Sequence, residues 1–172
     1  MEKQTGSTFV KLIIATVIMI FLACIAVNYG KNLMQEVKVQ DLRTNMLYIQ
    51  AEAKKGLEEV CFQTVNIDES KQENIDKINQ IKQEHLDGVT LSNAATEIQN
   101  AVKNIPDITI DETYYYLNEE TLNNMGIKDI KLEENEYFIV KYDFENTNVE
   151  VINTKGYEGK YTLTQLNEVI GE

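Results

Sequence analysis

Tryptophan is absent from this sequence, proline and histidine occur once each, at Pro106 and His85, and cysteine occurs twice. The two cysteines are Cys24, inside an apolar run, and Cys61, far along the polar part, so they cannot form a disulfide framework. Stability must come from packing. A lone histidine with only scattered carboxylates around it lacks the partners of a metal site, and His85 reads as a solvated side chain on a polar helix. Glycine-rich phosphate loops, serine-nucleophile motifs and paired-cysteine signatures are also missing. Carboxylates are plentiful, but on an acidic surface plenty is the background, and no acid/base pair stands out. No catalytic residue, cofactor or metal is expected, and the chain reads as a non-enzyme.

Positive charge is scarce too: 16 Lys and Arg stand against 28 Asp and Glu, a formal net charge of -12. Only Glu2 among the acids precedes Gly30, so the imbalance belongs to the polar part. Such a surface repels phosphate backbones and anionic headgroups, which excludes a nucleic-acid role. The length, 172 residues, suits one small domain once the unusual amino-terminal stretch is set aside.

What the sequence has in quantity is an apolar run. From Leu12 to Gly30 there is no charged side chain, and with Phe9 and Val10 in front the run reaches about 20 residues, the length that crosses a bilayer as a helix. Lys11 sits just inside its start, where its flexible stem reaches back to the headgroups. A buried core helix of that length would carry a polar face, which this run lacks. A cleaved signal peptide would need a shorter apolar region and a better small-x-small site than the "CIAV" of Cys24 to Val27. A lipid-attachment cysteine at "FLAC" is out of register. Positive charges on the two flanks balance, so counting them does not orient the segment.

The residues "MEKQTG" followed by "STFVKLIIATVIMIFLACIAV" resemble the amino terminus of type IV pilins and of the pseudopilins of type II secretion systems. The resemblance implies a short leader, residues 1–6, removed by a prepilin peptidase between Gly6 and Ser7. It also implies a membrane helix over 7–29, a cytoplasmic amino terminus and an extracytoplasmic head, with other pilin-like subunits or a membrane assembly platform as partners besides the lipid bilayer. Two positions depart from the family: Ser7 replaces the usual phenylalanine or methionine, and Lys11 replaces a glutamate. That glutamate pairs with a neighbour's amino terminus in the family. Two cations about 4 Å apart at an effective dielectric near 20 repel by roughly 4 kcal/mol, where an acid would attract by as much. A homopolymer packed in the usual way is disfavoured, which leaves a minor subunit or an anchored protein that never polymerises. The alternative is a single-pass anchored extracytoplasmic binding or regulatory domain whose leader is not trimmed, with Lys11 as a topology charge.

Residues 30–61 continue as an amphipathic helix, with Leu42, Met46, Ile49, Ala53, Leu57 and Val60 at three- and four-residue steps. Residues 62–105 read as helical. Ser70 with Glu73 predicts a capping box before a helix burying Ile75, Ile78 and Ile81, which ends by Gly88. A second helix starts after Ser92 or Asn93, turns Ala95, Ile98, Ala101 or Val102, and Ile105 inward, and stops at Pro106. Residues 106–172 read as a small α+β head, similar in pattern to the heads of pilin-like proteins of Gram-positive bacteria. "TYYYL" predicts a strand in which at least one of Tyr114, Tyr115 and Tyr116 is exposed. "NEETLNNMGI" predicts a helix capped by Asn118 and stopped by Gly126. "EYFIVKYDF" puts Phe138, Val140, Tyr142 and Phe144 on one face and pairs with "NVEVINT" as a hairpin. Asp143, Glu145 and Asn146 at its tip read as a solvated turn or a weak calcium site. "GKYTL" adds a strand, and "TQLNEVI" a last helical turn with Leu166, Val169 and Ile170 inward. The fold class is α+β: a long amino-terminal helix, transmembrane in its lower half, packed on a small helix and antiparallel-sheet domain.

Overall fold

A computed structural model describes residue 19 and residues 36–106, 108–128, 130 and 132–170. Gly6, Ser7, Lys11 and, Met19 apart, the membrane-helix reading of 7–29 lie outside the described residues. Among the described residues no helix is long and apolar enough to cross a membrane. The chain divides into two compact units, Met1–Asp41 and Leu42–Glu172. Described residues 36–41 of the first are helical; the sheet and its core lie in the second.

The fold is α+β. A helix over residues 36–64, α1, is followed by α2 (Gln72–His85), β1 (Val89–Thr90), a 3-10 turn (Leu91–Asn93), α3 (Thr96–Lys103) and β2 (Tyr114–Leu117). Then come α4 (Glu119–Asn124), β3 (Phe138–Asp143), β4 (Asn148–Tyr157), β5 (Lys160–Thr162) and α5 (Leu163–Ile170). The strands form one sheet in the order β1-β2-β3-β4-β5, with every neighbour antiparallel. Sequence order equals spatial order: short turns join β3 to β4 and β4 to β5, while the longer β1–β2 and β2–β3 connections carry α3 and α4 and still return to the adjacent position.

Both faces of the sheet are covered. On one face Phe138, Val140 and Tyr142 of β3 and Val149 and Val151 of β4 meet the α1 row Met46, Ile49, Ala53, Leu57 and Val60, each of which is fully buried. The row the periodicity picks out is therefore the row that packs. Leu42 is its half-buried end. On the other face Ile139, Ile152 and Tyr114 pack with Leu91, Ile98, Val102 and Ile105. Pairing of Val140 with Val151 and of Ile139 with Ile152 keeps each cross-strand pair on its own side.

That second layer overturns the expectation of an exposed tyrosine in "TYYYL". Tyr114 is buried, and Tyr115 and Tyr116 are half-buried on opposite faces, because alternation sends each to a different cluster and both clusters are roofed.

Gly56 explains how α2 reaches α1. A Cβ at that position would lie 2.1 Å from the His85 carbonyl oxygen, so the glycine makes room for the backbone at the end of α2. Helix α4 is closed at both ends as read. The Asn118 side chain accepts from Thr121 N at 2.7 Å. At the other end Gly126 takes φ 81, with Ile127 N donating to Leu122 O and Gly126 N to Asn123 O. This is a Schellman closure.

Three local expectations fail. The capping box does not form: α2 begins at Gln72 without a side-chain cap, Ser70 N donates instead to Asp68 Oδ1, and Asn74 Nδ2 donates to Asp68 O. The Asp68 turn has taken the role assigned to Ser70. Ile78 and Ile81 are buried but Ile75 is exposed, since successive three-residue steps drift by about 60° around a helix of 3.6 residues per turn. Ala95 is exposed as well, because it sits at the N-cap of α3 rather than inside it. Leu166 is buried as read, while the side chains of Val169 and Ile170 lie outside the described residues.

Candidate functional site

Where α1, α2 and β3 converge, the end of α2 is tied to the sheet. Tyr142 leaves β3 on the α1 side, and its alternating position carries the ring into the core and the hydroxyl to its edge. There Asp87 N donates to Tyr142 Oη at 3.2 Å, and the same hydroxyl donates to Asp87 O at 3.1 Å. One phenol thereby satisfies two backbone groups of the α2–β1 connection. Burial, reinforced by the negative charge of Asp87, pushes the Tyr142 phenol far above its ordinary range. It is a neutral hydroxyl at any physiological pH. Burial first, and the Glu52 carboxylate second, raise the Asp87 carboxyl above the usual carboxylate range.

Aromatic contacts extend this junction. Tyr115 meets Tyr142 edge-on, with centroids 5.0 Å apart and planes at 86°, and Phe144 lies 6.5 Å beyond. Lys82 from α2 places its ammonium 4.4 Å from the centre of the Phe144 ring, a cation–π contact. An open cleft of about 570 Å³ lies beside them, lined by Lys82, Leu86, Gly88, Val89, Thr90, Glu112, Tyr115 and Phe144 among others. It offers one cation, one acid, hydroxyls and aromatic faces. None of the contacts there sets a nucleophile against a base. A second groove of about 780 Å³ runs beside α4, lined by Leu122, Ile127, Ile130 and Leu132 with Glu119 and Lys128.

The residues singled out in the sequence are scattered. His85, at the end of α2, is half-buried and its Nε2 lies 3.0 Å from Gln63 Nε2, so it is held by an amide rather than simply solvated. Cys61 is a free thiol near the Phe144 carbonyl and the Thr147 hydroxyl, each 3.9 Å away. Neither neighbour is a base able to draw off its proton. Asp143 spends its carboxylate on its own turn: Oδ1 accepts from Glu145 N and Asn146 N, and Oδ2 from Asn146 Nδ2. Those bonds hold the Asp143 carboxyl below its ordinary range, the Asn146 side-chain bond contributing most. Among the described residues no group of three His, Cys, Asp or Glu side chains is placed to hold a metal ion.

Sequence reasoning did not find the junction of Asp87, Tyr142 and Gly56. Asp87-Gly88 signals a turn, but nothing local links it to a tyrosine 55 residues away. No protein-family model matches the chain, no curated protein is significantly similar to it, and no solved structure matches it.

Proposed function

We propose that the chain is a membrane-anchored, pilin-like structural subunit, a minor pilin or pseudopilin of a type IV filament or type II secretion-like system. The observation that carries the reading is α1. After the uncharged run of Leu12 to Gly30 the chain passes through residues 31–35 to this helix, which gives one complete face to an antiparallel sheet. A helical spine bearing a small α+β head is the arrangement that the resemblance at residues 1–27 leads one to look for. In this reading the segment 7–29 spans the bilayer once, the amino terminus is cytoplasmic, and the domain that follows is extracytoplasmic. Prepilin peptidase cuts between Gly6 and Ser7. Its other partners are further pilin-like subunits or a membrane assembly platform.

Lys11 favours a second reading, an anchored extracytoplasmic binding or regulatory domain that joins no filament. A lysine in place of the pairing acid removes the attraction that draws a neighbour's amino terminus in. Mass spectrometry of the native amino terminus tests the first reading: it requires a species beginning at Ser7, and a population made up of intact Met1 chains overturns it. Lys11→Glu separates the two, since it alters assembly or extraction only if the subunit is assembled. Both readings require the full chain to stay with the membrane in a carbonate wash.

A further inference from the structure

We draw no further inference here: the strongest candidate, the open cleft between the end of α2 and the β1–β2 edge of the sheet, belongs to the site already described, and its mixed lining of one cation, one acid, amides, hydroxyls and aromatic faces leaves nothing in the structure to show what would fill it.

Discussion

Gly56 sits in mid-helix, where alanine is favoured by about 1 kcal/mol in propensity, yet its missing Cβ is what lets the His85 carbonyl in. Overpacking against backbone costs more than propensity returns. Gly56→Ala should therefore lower stability by about 1–3 kcal/mol in urea unfolding. Tyr142 is the second such position. Tyr142→Phe keeps the ring in the core and strips two backbone groups of Asp87 of their partner, a loss of about 1–2 kcal/mol. Asp87 adds a pH dependence of opposite sign to the common acidic residue. Its carboxyl is raised in the folded state, so the unfolded chain ionises first and stability falls as pH rises from the unfolded value through the folded one. Asp87→Asn should be more stable than the parent at neutral pH. That advantage should vanish below about pH 4, the ordinary aspartate value, in parallel urea titrations.

At the scale of elements, helix ends separate signals that were legible from one that was not. Asn118 and Gly126 bracket α4 as the sequence implies, because each acts within a few residues of itself. The Ser70 box failed because Asp68 competes for the same short stretch of backbone. The two cases predict different mutants. Asn118→Ala should cost about 1 kcal/mol in thermal or urea unfolding, whereas Ser70→Ala should stay within about 0.5 kcal/mol of the parent. Short strands behave likewise. The β3–β4 hairpin was readable from alternation and its turn, while β1, two residues inside a stretch read as helical, joins the sheet only because β2 is there to receive it. A two-residue edge strand also leaves little unpaired backbone for another chain to extend.

For the whole molecule, the unit Leu42–Glu172 is a sheet with helical cover on both faces, and the two clusters share β2, β3 and β4. Neither layer has strands of its own, so they should unfold together. Ile139→Ala, on the α3 face, should destabilise by about 2–4 kcal/mol while leaving one transition seen equally by probes of α1 and of the sheet. Two separate transitions would contradict the shared-strand account.

The sequence by itself determined the α+β class, the buried row of α1 from Met46 to Val60, the hairpin and the caps of α4. Each follows from periodicity or from groups a few residues apart, where chain geometry leaves little choice. Tertiary structure alone decided that the sheet has two roofs, that all three tyrosines of β2 are at least partly covered, and that Asp87 closes on Tyr142 beside a glycine that admits the end of α2. Those outcomes depend on which surfaces meet across the fold. A side chain's near neighbours in sequence set its direction, but only the element packed against it sets its burial and its charge.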